Sequence, residues 1–175
     1  MIDDNVINEL REYLKDHYIP AQEQLLAIKG AVSMEPSETY GSFRDLFDDA
    51  SDFIKKHREP GGFAHTLDRK RKEKGLKPAE LYKKANVDRR LYSRLMGPEG
   101  RHPSMNTAIS FAIALQLERQ EFDELLQTAG YALSNTSSRD VCIMYCLEKG
   151  IYNIDDVNAL LFSIGIEPLT RDSGG

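Results

Sequence analysis

The chain has no strand-like alternation of Val, Ile and Thr with polar residues anywhere in its 175 residues, so its class reads as all-α. No apolar run approaches the ~20 residues that would cross a bilayer. The opening Met1-Ile2-Asp3-Asp4 is acidic and lacks the basic-then-apolar pattern of a secretory signal, which makes a cytoplasmic location the expectation. Two cysteines are present, Cys142 and Cys146, one helical turn apart, and they read as small buried thiols in a reducing compartment. The four histidines, His17, His57, His65 and His102, stand at no ligand spacing from one another or from a cysteine, so no metal site is expected. Gly97-Pro98-Glu99-Gly100 is no phosphate loop, because the Lys-Ser or Lys-Thr that should follow is missing. The acid pairs Asp48-Asp49 and Asp155-Asp156 would point about a hundred degrees apart on a helix, too far to share one substrate easily. No catalytic constellation remains, and the chain reads as a non-enzyme without a cofactor.

An apolar fraction of 41% and a charged fraction of 29% describe an ordinary globular chain. The net charge of −5 conceals an uneven distribution. Residues 1–60 carry 7 basic against 13 acidic side chains, residues 61–103 carry 12 against 5, and residues 104–175 carry 4 against 10. A centre of +7 thus lies between two flanks of −6. Such a run ordinarily marks a solvated face, but a basic centre is also the electrostatic footprint of a nucleic-acid site.

Apolar spacing predicts a helix over residues 4–18, a second over 21–32 and a third over 42–57, the last carrying Phe43, Leu46, Phe47, Ala50, Phe53 and Ile54 at intervals of three and four. Glu59-Pro60-Gly61-Gly62 forbids a continuous helix and marks a boundary. The organisation expected is an N-terminal helical extension over 1–58, a central domain over 62–132 and a C-terminal helical extension over 133–175. In the last, helices are expected over 139–149 and from Asn153 or Asp155 to Gly165.

The central domain reads as five short helices. The first, Phe63 to Lys74, buries Phe63 and Leu67 and turns Arg69-Lys70-Arg71-Lys72 to solvent or phosphate. The second has Pro78 in its first turn, Glu80 beside it, and Lys83 and Lys84 at the end where the dipole favours cations. Asn86 suits the left-handed residue that ends a helix, Val87 plugs the core, and Asp88 caps the next helix. That third helix, Arg89 to Met96, sets Tyr92 and Leu95 on one face, with Arg89, Arg90, Ser93 and Arg94 largely on another. Ser104 caps a fourth helix, Thr107 to Leu115, apolar nearly all round, whose Ile109 and Ile113 require cover from the extensions or from a second copy of the chain. A fifth, Arg119 to Ala129, turns Phe122, Leu125 and Leu126 inward and ends at Gly130.

Leu67 to Leu126 resembles the lambda-repressor-like helix-turn-helix family. The resemblance rests on Lys74-Gly75-Leu76, Ala79-Glu80-Leu81, Val87, Ser93-Arg94-Leu95, Pro103-Ser104 and Ala112 with Ala114-Leu115. The phrases Tyr82 to Arg89 and Ala129 to Ser134 are also similar to a C-terminal helical domain of some bacterial macro-domain proteins. The first resemblance implies a helix-turn-helix core with helical extensions at both ends, acting as a sequence-specific transcription regulator on double-stranded DNA. Residues 88–96 would read the major groove through Arg89, Arg90, Ser93 and Arg94. Lys77, Arg101, Arg69 and Arg71 would meet phosphates. It also implies a homodimer, since such modules commonly read paired half-sites. The same scaffold serves as a protein-interaction module, and two departures favour that alternative. Pro78 offers no backbone donor where the family often has a DNA-contacting Gln, and the loop Gly97 to His102 is long and contains Glu99.

Overall fold

The computed structural model describes residues 3–19, 62–98 and 101–170. All of the regular structure among them is helical: α1 (Asp4–His17), α2 (Gly62–Glu73), α3 (Pro78–Lys84), α4 (Arg89–Met96), α5 (Met105–Ala114), α6 (Arg119–Thr128), α7 (Ser138–Glu148) and α8 (Ile154–Ser163). Each agrees with the apolar spacing to within a few residues, the ordinary uncertainty of helix ends. The helices expected over 21–32 and 42–57, and the boundary at Glu59-Pro60-Gly61, lie outside the described residues. No described helix is long and apolar enough to cross a membrane.

The cap residues explain where the helices start. Asp88, Ser104, Ser137 and Asn153 each accept a backbone N–H from the first turn of α4, α5, α7 and α8. Such a cap is worth roughly 0.5–2 kcal/mol. The helix ends share another device. Beyond α2, α3, α5, α6, α7 and α8 comes one left-handed residue, respectively Gly75, Asn86, Gln116, Gly130, Gly150 and Gly165. The next residue then bonds back to the carbonyl five positions earlier, as Val87 N–H does to Tyr82 at 2.9 Å and Leu117 N–H to Ala112 at 3.2 Å. That following residue is always apolar, so each helix end is also pinned to the core.

The core is built around α5. Every residue from Thr107 to Ala114 is buried, because α3, α6 and α8 cover it on different sides. The cover that Ile109 and Ile113 demanded therefore comes from inside the chain, chiefly from neighbouring helices of the central segment and from the C-terminal helix α8. Phe111 meets Phe63 of α2 and Tyr92 of α4, with ring centroids 6.4 and 5.9 Å away. The described residues all belong to one compact unit.

α1 packs against α7 and α8. Leu10 is fully buried there; around it Tyr13 Oη donates to Glu148 at 2.6 Å and Lys149 pairs with Glu9 at 2.7 Å. Burial and the adjacent Glu148 carboxylate push the Tyr13 phenol up to about 12. Cys142 and Cys146 are buried neighbours on α7, as expected. A hydrogen bond from Cys142 and burial raise the Cys146 thiol well above its usual value, so it stays protonated and unreactive.

Candidate nucleic-acid interface

The junction of α3 and α4 is defined from both sides. Pro78 opens α3 at its first position, where a missing N–H costs nothing, and Glu80 Oε2 accepts the Lys77 N–H at 2.7 Å. A lysine has no acceptor to return, so only this half of a capping box forms. Asn86 takes a φ of 51°, Val87 is buried, and Asp88 Oδ1 accepts the N–H groups of Arg90 and Leu91 at 2.7 and 3.3 Å. Two short helices are thereby joined by a turn with every residue assigned.

The inner face of α4 is fixed by Tyr92 and Leu95, both buried. Tyr92 lies 5.7 Å from Tyr82 of α3 and edge-on to Phe111, so α4 is held by α3 and α5 together. Burial raises the Tyr92 phenol, an effect that the nearby Arg71 guanidinium opposes. The outer face presents Arg89, Arg90, Ser93 and Arg94, all exposed. Arg94 Nε folds back to the Arg90 carbonyl at 3.3 Å; Arg101, also exposed, donates its N–H to the Arg94 carbonyl at 3.4 Å. Exposed Lys77, Lys83 and Lys84 lie on α3 and at its start. None of Lys77, Lys83, Lys84, Arg89, Arg90, Arg94 and Arg101 pairs with a carboxylate among the described residues.

The basic run of α2 is placed differently. Lys70 was expected to face solvent, yet its side chain is 2% exposed, with its ammonium 3.4 and 3.3 Å from Glu121 and Glu124 of α6. The reason is that α2 packs on α6 along this side, and a buried cation needs carboxylates there. Arg71 is 12% exposed, bonds Asp68 at 2.6 Å and donates to the Leu76 carbonyl. It therefore lies mostly inside rather than on the surface where a phosphate would be met. Arg69 and Lys72 remain exposed, paired with Glu73 at 3.0 Å and Asp68 at 2.8 Å. Of the eight expected DNA contacts, six (Lys77, Arg89, Arg90, Ser93, Arg94 and Arg101) stand exposed on or beside α3 and α4 without a described carboxylate partner.

No protein-family model, no curated protein and no solved structure matches the chain. The candidate face rests on its own geometry. Lys83 and Lys84 are also exposed without a described carboxylate partner but were read in the sequence only as partners of the helix dipole. Their signal was their place in the helix directly before the candidate reading helix. Among the described residues no cluster of His, Cys, Asp and Glu is arranged to hold a metal ion.

Proposed function

We propose that the chain is a sequence-specific regulator that binds duplex DNA, with α2 to α6 as a lambda-repressor-like helix-turn-helix domain and α4 as the major-groove reader. One observation carries this reading. The cations of α2 are matched by carboxylates, whereas those of α3, α4 and Arg101 stand exposed with no described carboxylate beside them. A duplex supplies the missing anions. Arg89 and Arg90 stand in the first turn of α4, where a reading helix meets base edges, and a bidentate arginine pairs with O6 and N7 of guanine. Lys77 and Arg101 flank that turn in sequence and serve the phosphates, which supply affinity without sequence preference.

Single half-sites bind weakly, so the reading includes a two-fold dimer with reading helices about 34 Å apart. Because α5 is covered within the chain, this dimer uses another surface. A mass of one chain by sedimentation across micromolar concentrations would remove it.

The second reading, a protein-interaction module, is favoured by Pro78, whose ring nitrogen offers no donor at the start of α3. Selection from random duplex DNA separates the two. Enrichment of a motif supports the first; failure of the wild-type chain to hold any duplex at low salt leaves the second.

A further inference from the structure

Arg71 belongs to the basic run of α2, but its surroundings assign it different work. Its Nε and one terminal nitrogen bond Asp68 Oδ1 at 3.0 and 2.6 Å, one turn back on the same helix. Its other terminal nitrogen bonds the carbonyl of Leu76, and the Leu76 N–H returns to the Arg71 carbonyl at 3.1 Å. Leu76 immediately precedes Lys77, the cap of α3. The helix that carries Arg71, α2, also packs against α4, whose Tyr92 and Leu95 are buried. One planar group thus ties α2 to the entrance of α3, on a helix that itself packs against α4. Each of its three nitrogens donates in these contacts, and its exposure is 12%.

We propose that Arg71 is a positioning residue for the α3–α4 face, fixing the angle at which α4 is presented, and that it does not meet phosphate. This rests on the duplex-binding reading given above. A lysine cannot replace Arg71, since a point charge cannot serve Asp68 and the Leu76 carbonyl from one plane. The two roles leave different marks. A phosphate contact contributes to the salt dependence of binding, roughly one unit of slope per contact, and contributes equally on every sequence. A positioning group leaves the count of phosphate contacts alone and alters how well base edges are met.

The test uses the full chain with Arg71→Lys and Arg71→Met, both titrated against the selected duplex and a random duplex at several salt concentrations. Both variants should keep the wild-type salt slope while the preference for the selected duplex falls about tenfold, the size of one good base contact misplaced. A slope flatter by about one unit with preference intact would overturn the proposal and return Arg71 to the phosphate set. Amide exchange without DNA supplies the second arm. Faster exchange of the Leu81 and Tyr92 amides in Arg71→Lys than in wild type is expected, and unchanged exchange there overturns the positioning role even if the wild type binds no duplex. Absence of duplex binding by the wild type, with the exchange result as expected, removes the DNA reading alone. Should Arg71→Met fail to fold, Arg71→Lys decides.

Discussion

Two basic stretches of similar charge, α2 and the α3–α4 pair, stand in opposite surroundings. In α2 every cation has a carboxylate within reach: Arg69 has Glu73, Lys70 has Glu121 and Glu124, and Arg71 and Lys72 share Asp68. In α3 and α4 the two nearby acids, Glu80 and Asp88, face the backbone N–H groups of the helix starts and leave the lysines and arginines alone. Sequence charge barely separates the two stretches, with 4 basic against 2 acidic side chains over 62–73 and 5 against 2 over 78–96. What separates them is packing, since α2 lies along the acid-bearing α6 and the outer face of α4 meets no described acid. A cluster of cations indicates a partner only after the internal carboxylates have been assigned.

The sharpest way to break this comparison is to reverse one charge on each side. Lys70→Glu would bury a third carboxylate beside Glu121 and Glu124, and breaking a buried pair costs about 3–5 kcal/mol. Thermal or denaturant unfolding should show that loss. Lys70→Met, which keeps the packing and lets the partly exposed glutamates rehydrate, should cost far less. Arg89→Glu should leave stability within about 0.5 kcal/mol of wild type, as for an ordinary surface change, yet remove duplex binding. Equal stability losses at the two sites would erase the distinction. A smaller effect is expected within the candidate face itself. Arg90→Ala should lose about 1–3 kcal/mol of discrimination at one base pair in a specificity titration. Smaller again, Lys77→Ala should weaken all duplexes alike and flatten the salt slope by about one unit.

The helix ends show how much was legible. Asn86, Gly130, Gly150 and Gly165 each announced a stop, because few residue types accept a left-handed conformation and these stood just past an apolar period. Gln116 takes a φ of 51° without any such signal; its turn is imposed by the burial of Leu115 and Leu117 on either side. The caps Asp88 and Ser104 were equally readable, since a short side-chain oxygen before an apolar period has few other uses. The candidate face was legible on α4 for a related reason: Tyr92 and Leu95 fix the inner side, and Arg89, Arg90, Ser93 and Arg94 then have only the outer one. The fate of Lys70 and Arg71 was not legible. Their partners Glu121, Glu124 and the Leu76 carbonyl are chosen by how α2 meets α6 and how the chain turns after Gly75, and local spacing carries neither fact. The cover over α5 was likewise demanded by its sequence but not located by it.

The smallest expected effect is a pH dependence where α2 hands over to α3. The Lys72 ammonium and the Arg71 guanidinium hold the Asp68 carboxyl below its usual range. A carboxyl whose folded value is depressed contributes stability that is present above the unfolded value, near ~3.9. That contribution is lost as pH falls through the lower folded value. The side chain is 31% exposed, so solvent screens the pair and the change is local loosening rather than unfolding. Protonation of Asp68 frees Arg71 at the point where α2 hands over to α3. Protection of the Lys74 and Leu76 amides, measured as protection factors from about pH 5 down to about pH 2, should therefore fall in the wild type. In Asp68→Asn protection there should start lower and change less over the same range. The Thr107 amide, held at 3.2 Å by the non-titrating Ser104 hydroxyl at the start of α5, gives the internal reference in the same experiment. If both variants lose protection in parallel at Lys74 and Leu76, Asp68 is not the titrating group, and the carboxylate assignment on which the contrast between α2 and α4 rests has to be redrawn.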